Sequence, residues 1–307
     1  MLRWRGLDQV PSGWGRCVVT IGVFDGVHRG HQEMIQHALR RARAAMLPLV
    51  LITFDPHPSE VVRPGSHPPV LTPVKRKAEL VEALGVDAFF VLPFTTELSR
   101  MPPDEFVHVV LVEKLHAAAI VVGENFRFGH KAAGDLELLR TLGTRFGFST
   151  EGVGMLRDDD VTLSSTFVRS SIDAGDVSQA EKALGRPHRI DGIVVRGEGR
   201  GRQLGYPTAN VHTDRHIAIP ADGIYAGWAM LRDKRLQAAI SVGTNPTFEG
   251  RQRTVEAYIL DFDEDIYGVE LGVEFVERLR GMEKFDNVED LITQMGVDVE
   301  RTRERLR

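Results

Sequence analysis

Between residues 17 and 153 the sequence alternates repeatedly between short β-branched apolar runs and longer stretches with helical spacing. CVVTIG (17–22) and LPLVLITF (47–54) are continuous apolar runs, as expected of strands buried on both faces. Between them Met34, Ile35, Ala38, Leu39 and Ala42 recur at the spacing of one helical face. A helical stretch at 75–84, the strand pattern DAFFVL (87–92) and a helix near 103–115 follow. The strand AAIVVG (118–123), a helix near 134–146 and a short strand at 148–153 continue the same order. Strands separated by helices predict a parallel, doubly wound sheet. Such sheets bind ligands beyond the carboxyl ends of their strands. The three unusual loops of this half, 22–31, 54–60 and 123–134, each follow a predicted strand and fall on that side.

After about residue 185 the texture changes. RIDGIVV, YAGWAML, LQAAISVG, TVEAYIL and VELGVEFVERL read as strands divided by glycine-containing turns, with no helix between them. That predicts an antiparallel barrel or sandwich. From 287 to 306 helical spacing returns, so the chain should close on a helix. The boundary is expected at GRPHR (185–189), just after the short amphipathic helix of DVSQAEKAL. The expectation is therefore a Rossmann-like α/β domain over residues 1–185 and a β-rich domain over 186–307.

Length agrees with two domains: the chain has 307 residues. A formal net charge of −5 gives no basic field of the kind nucleic acid demands. The single cysteine, Cys17, excludes an intramolecular disulfide framework and a cysteine-rich zinc site. Lying in an apolar strand pattern, it reads as a packed, inert thiol. The opening MLRWRGLDQV lacks an apolar core of signal-peptide length, and no later run could span a bilayer, so a soluble, cytoplasmic protein without membrane partners is expected. Nothing in the pattern selects an oligomeric state.

Four stretches carry chemistry. GVFDGVHRGH (22–31) is a glycine-rich turn leading into a helix, where free backbone N–H groups and the helix dipole suit phosphate. His28 and His31 could donate to phosphoryl oxygens as charge develops there. Their spacing also fits a metal pair, although no cysteine accompanies them, and turn histidines satisfied by their own loop are the plain alternative. LSSTFVRSS (163–171) places Ser164, Ser165 and Thr166 at a helix start with Arg169 one turn on. Capping explains one or two of those hydroxyls; three with a guanidinium suggest a second anion site.

In the β-rich half, GEGRGRQLGYPTAN (197–210) joins Gly197, Gly199, Gly201, Arg200 and Arg202 in a loop suited to phosphates. Thr208 and Asn210 follow as hard oxygen ligands of the kind Mg²⁺ takes alongside nucleotide phosphates. In RTVEAYILDF (253–262), Glu256 interrupts a mostly apolar strand. It is either a general base or an edge carboxylate in water.

Taken together, His28-Arg29-Gly30-His31 and LSSTFVR resemble the nucleotidylyltransferase superfamily. GVFDGVHRGH, TFDPHP (53–58), GENFRFGHKAAGD (123–135) and LSSTFVR narrow the likeness to the amino-terminal half of prokaryotic bifunctional riboflavin kinase/FAD synthetases. GEGRGRQLGYPTAN, NPTF, the Glu256 strand and the segment 268–295, with its MEKFD (282–286), are similar to that family's kinase module. The likeness runs from about residue 17 to the end. Leu163 and Asn125 stand where isoleucine and aspartate are common, and neither change removes a group that phosphoryl chemistry needs.

The resemblance implies that riboflavin is phosphorylated by ATP with Mg²⁺, and that AMP from ATP is then transferred to FMN to give FAD and pyrophosphate. It implies Glu256 as base and Thr208 and Asn210 as ligands for Mg²⁺ and ATP, with Gly197, Gly199, Arg200 and Gly201 on the phosphates. For adenylyl transfer it implies His28, His31 and Arg169 in catalysis, with Gly22, Phe24, Asp25, Gly30, Ser164, Ser165 and Thr166 at ATP. Asp55, Pro56, His57, Asn125, Arg127 and Phe128 would hold flavin, with core packing the alternative for one of Phe126 and Phe128. Two rivals accompany this reading. A nucleotidylyltransferase acting on another acceptor would leave 197–262 unused, and a non-catalytic flavin sensor would not need the acids, bases and metal ligands.

Overall fold

The computed structural model describes residues 1–158, 161–197, 199–213, 216–247 and 250–307, and leaves the side chains of Arg200, Asn245–Thr247 and Gly250–Gln252 undescribed. Tertiary contacts divide the chain into one unit of Met1–Pro68 and Thr72–Ser164 and another of Pro69–Leu71 and Ser165–Arg307.

The first unit is a six-stranded sheet in the order β1-β4-β3-β2-β5-β6, every neighbouring pair parallel. Its strands are β1 (Leu2–Arg5), β2 (Cys17–Ile21), β3 (Leu49–Asp55), β4 (Ala88–Pro93), β5 (Ala117–Gly123) and β6 (Ser149–Val153). Five of the six were expected. β1 was missed because LRWR is short and buries Trp4 alone, so it shows no apolar run.

Both faces of this sheet are covered, and strand residues alternate between them. Val19, Ile21, Val50, Ile52, Phe90 and Ile120 belong to one apolar cluster. Val18, Leu49, Leu51, Phe89, Ala119 and Val121 belong to the other. That second cluster takes the helical stripe Met34, Ile35, Ala38, Leu39 and Ala42 of α1 (Arg29–Ala44), as the spacing predicts. It also includes Ala78 and Val81 of α3 (Val74–Ala83), which follows the short α2 (Pro58–Val62). Each fully buried aliphatic or phenyl side chain contributes roughly 1.5–3 kcal/mol, so these layers dominate the unit's stability.

The helix expected near 103–115 is more broken than its pattern suggests. After α4 (Thr96–Arg100), the α-turn α5 (Pro103–Phe106) runs into a π-helical stretch at Val107–Lys114. Then α6 (Leu136–Phe146) precedes β6, and the ribbon β7 (Arg157–Asp158) with β8 (Val161–Thr162) follows it.

The second unit opens with α7 (Ser165–Asp173) and α8 (Val177–Leu184). Its body is a closed antiparallel barrel in the order β10-β13-β12-β11-β14-β9. The strands are β9 (His188–Val195), β10 (Ala209–His212), β11 (Gly223–Leu231), β12 (Lys234–Thr247), β13 (Gly250–Ile259) and β14 (Glu270–Arg280). A one-turn helix, α9 (Arg200–Gln203), joins the first two strands, and α10 (Val288–Arg305) closes the chain. Ile190, Tyr225, Ile240, Val255, Ala257 and Phe275 fill the barrel together with Val177 of α8. That packing of α8 explains why contacts group residues 165–185 with the barrel, whereas composition suggests a division at 185. Val70 pairs with Ile217, so the segment Pro69–Leu71 also belongs here. No helix among the described residues is long and apolar enough to cross a membrane.

Candidate functional sites

In the first unit the connections run outward in both directions from β2 and β5, making this neighbouring pair the switch point of the sheet. The loops after β3, β2 and β5 are the three singled out from sequence, and they leave the carboxyl ends of three adjacent strands.

The turn after β2 is held in an unusual backbone form. Phe24, Gly26 and Val27 all have positive φ, at 51°, 85° and 42°. For Phe and Val this costs on the order of 1–3 kcal/mol each, and it persists only where the surroundings fix it. Here Phe24 and Val27 are buried to the full. Asp25, also buried, accepts the backbone N–H of Thr72 at 3.0 Å.

The turn delivers His28 as the N-cap of α1, its Nδ1 accepting the His31 N–H at 3.4 Å. The two imidazoles stack with centroids 3.7 Å apart, and Phe24 meets His31 edge-on at 5.3 Å. A side chain at Gly30 would lie 3.1 Å from the His28 ring and 3.4 Å from the Leu163 carbonyl, which explains the small residue inside the histidine pair. It also brings the residue just ahead of Ser164 against this turn. Arg29, between the histidines, pairs with Asp158 of β7 at 2.5 Å.

The turn after β3 contains a cis Asp55–Pro56 peptide. Asp55 accepts from Arg5 at 2.7 Å, and His57 caps α2 by accepting the Ser59 N–H at 3.1 Å. After β5, Asn125 and Arg127 are exposed, Arg127 lying 3.5 Å from Asp135. Phe128 takes the core alternative. Its ring is 7% exposed, stacks on Phe126 at 5.5 Å and belongs to the core cluster with Phe106 and Leu139. Paired backbone bonds to Gly134 hold it there. Of the two phenylalanines, Phe126 is the one left partly exposed.

One residue of this region went unread. Lys77, inside the expected 75–84 helix, is 4% exposed. Its ammonium donates to the Val23 carbonyl at 2.7 Å and to Thr53 Oγ1 at 3.2 Å, just at the carboxyl ends of β2 and β3. Burial pulls its pKa down to about 8, opposed by the charges of Asp25 and Asp55. The available signal was a lysine falling on the apolar stripe with Ala78 and Val81.

In the second unit Arg169 of α7 donates from Nε to the Pro69 carbonyl at 2.7 Å. Ser165, Thr166 and Arg169 lie along the first turns of that helix, as the sequence predicts. On the barrel, strand register brings the other group together. Asn210 of β10 sits opposite Glu256 of β13, and Ser241 of β12 flanks Glu256 on its other side. Val255, Ala257 and Ile259 point into the barrel, so Glu256 stands on its outer surface, half-buried.

Thr208 Oγ1 donates to Glu256 Oε2 at 3.0 Å. Gly197 and Gly201 lie against this cluster: a Cβ at Gly197 would come within 2.4 Å of Asn210 Nδ2, and one at Gly201 within 3.4 Å of Thr208 Oγ1. Gly199 caps α9 with a left-handed φ of 72°. Glu198, the Arg200 side chain and Phe248 lie outside the described residues. Beside Thr208 a cavity of about 340 Å³ opens at the barrel mouth, lined by Val194, Arg202, Ala257, Ile259 and Tyr267 among others.

A family model described as FAD synthetase matches residues 10–167, and one described as riboflavin kinase matches 184–306. A bifunctional riboflavin kinase/FMN adenylyltransferase of Escherichia coli (strain K12) is 34% identical over 97% of this chain and 95% of its own. The protein of that name from Listeria monocytogenes is 37% identical over 93% of this chain and 91% of its own. A solved structure called a macrolide-efflux protein, from Streptococcus pneumoniae, covers 99% of both chains at 32% identity with a TM-score of 0.90. A nucleotidylyltransferase of another kind would leave the match over 184–306 unexplained. With both halves matched and relatives aligned over nearly its full length, the chain belongs to the bifunctional riboflavin kinase/FMN adenylyltransferase family.

Proposed function

We propose that the family's two activities divide between the units, with phosphorylation of riboflavin on the barrel and adenylation of FMN at the carboxyl edge of the parallel sheet. One observation carries the kinase assignment. Glu256 of β13 faces Asn210 of the adjacent strand β10, and Thr208, just ahead of β10, is joined to Glu256 by a 3.0 Å bond. Glu256 takes the proton of the riboflavin 5′-hydroxyl as its oxygen attacks the γ-phosphorus of ATP, and ADP leaves. Gly197, Gly199 and Gly201 provide backbone N–H groups for the phosphates. The apolar part of the barrel-mouth cavity suits the nucleotide base, since Asp263, Glu264 and Asp265 on its rim would repel phosphates.

Thr208 and Asn210 offer the hard oxygens Mg²⁺ prefers, with phosphates completing its shell, and they would hold it beside Glu256. Mg²⁺ so bound would neutralise charge on the transferring phosphoryl group.

In the second reaction an FMN phosphate oxygen attacks the α-phosphorus of another ATP, and pyrophosphate leaves. Both reacting groups arrive charged and activated, so the protein has to position them and stabilise negative charge. His28 and His31 provide donors at the amino-terminal, positive end of the α1 dipole. Ser164, Ser165, Thr166 and Arg169 keep in this proposal the phosphate role that the sequence suggests. Asp55, Pro56, His57, Asn125 and Arg127 line the loops offered to flavin, while Phe128 supports that wall from the core. The test is incubation with riboflavin, ATP and Mg²⁺, followed by chromatography. FMN should appear first and FAD after it; binding of flavin without turnover would overturn the proposal.

A further inference from the structure

At the carboxyl edge of the parallel sheet two carboxylates act on one buried ammonium, that of Lys77. Asp25 is buried in the turn after β2, and Asp55 ends β3. Negative charge on both would repel the phosphates of ATP and FMN, and Asp25 holds its charge away from water. The charges acting on Lys77 are those of Asp25 and Asp55 among the described residues, Asp55 being paired on its other side with Arg5 of β1. On its own helix the neighbouring Arg76 is paired with Glu79.

Lys77 also acts mechanically. Its ammonium and the Thr53 hydroxyl both donate to the Val23 carbonyl, at 2.7 and 2.9 Å. That clamp joins β3 to the residue just before Phe24, where the backbone first enters its strained form. Four residues further on stands His28, the cap of α1. A buried lysine is expensive to keep, and an apolar side chain would fill the same place in the α3 stripe.

We infer that Lys77 is a positioning residue for adenylyl transfer: it clamps the turn that carries His28 and His31, and it cancels the charge of Asp25 and Asp55 under the incoming phosphates. The inference rests on adenylyl transfer taking place at this edge of the sheet. Its action requires the ammonium, so it ends when the proton leaves. ATP and FMN phosphates complete their titration near pH 6, so they are silent in the alkaline range. Cys17, pushed up to about 12 by burial, is silent there as well.

The experiment measures kcat/KM for FAD formation from FMN as pH rises, which reports ionisations of the free enzyme. Wild type should lose activity as pH rises through about 8, while FMN formation by the same sample shows no such limb. Lys77→Met should form FAD about a hundredfold more slowly near neutral pH, the scale of a 1 Å misplacement, and should lack the alkaline limb. Its FMN formation should match wild type. A wild-type profile flat through that range would overturn the inference, as would a Lys77→Met protein that forms FAD at the wild-type rate. Either result leaves FAD formation by wild type intact, so it is distinct from failure of the functional reading, in which wild type makes no FAD. Should Lys77→Met fail to fold, the wild-type profile alone decides.

Discussion

Gly197→Ala is the smallest change that tests the kinase cluster. The added Cβ would lie 2.4 Å from Asn210 Nδ2, 2.6 Å from Cγ and 2.7 Å from Oδ1. Ordinary contact begins near 3.4 Å, so the amide or the loop must retreat by about 1 Å. Gly197 does not have a positive φ, so backbone strain does not enter; the clash alone carries the effect. The loop is exposed at this point, and overpacking there should cost little stability, about 1 kcal/mol at most. A misplacement of that size at a reacting centre lowers turnover by about a hundredfold. The assay is FMN formation from riboflavin, with FAD formation from supplied FMN as the internal control. We expect the first to fall by that factor and the second to hold. Turnover of riboflavin within about twofold of wild type would refute the reasoning that Asn210 must stand where the loop now presses on it.

Three further outcomes follow from packing and charge. Phe128→Ala should destabilise the first unit by about 3–5 kcal/mol, read by denaturant unfolding, because the ring fills the core rather than solvent-facing space. Arg280→Met leaves Asp298, 4% exposed and bound by Arg280 at 2.7 Å, as an uncompensated buried carboxylate. Breaking such a pair costs about 3–5 kcal/mol, here by loosening α10, and thermal unfolding should show it. Lys77 sets a pH dependence whose sign is fixed: its folded pKa of about 8 lies below the ordinary 10.5, so between those values the unfolded chain binds more protons. Stability of the first unit should therefore rise over that range by roughly 3 kcal/mol from this group, measured as urea midpoints against Lys77→Met.

Much of this was legible in the sequence, for reasons that can be named. CVVTIG and AAIVVG announce strands because parallel strands buried on both faces need apolar residues at every position. The α1 stripe was read residue for residue because one helix face against a sheet leaves a period of 3.6. β1 was hidden because an edge strand with one buried residue leaves no pattern. The π-helical stretch at 107–114 was hidden because its hydrogen bonding shifts by one residue, while its apolar run Val109–Val112 reads equally as α-helix. Lys77 falls on the apolar stripe of its helix, but what its tip meets depends on carbonyl and hydroxyl partners beside β2 and in β3, which no local pattern encodes. Glu256 was visible as an odd carboxylate in an apolar strand, yet its partner Asn210 is set by register between strands 46 residues apart, which no local pattern encodes. Phe128 was ambiguous because an aromatic side chain in a glycine-rich loop serves a core as readily as a flavin ring.

The central claim is that two separate sites carry out two consecutive reactions, and paired substitutions test it most directly. Glu256→Ala and His31→Ala proteins are each given riboflavin, and separately FMN, with ATP and Mg²⁺, and the products are separated by chromatography. Glu256→Ala should make no FMN yet convert supplied FMN to FAD near the wild-type rate. His31→Ala should make FMN normally and lose FAD formation. If either change, in a folded protein, abolished both reactions, the assignment of one reaction to each unit would be contradicted.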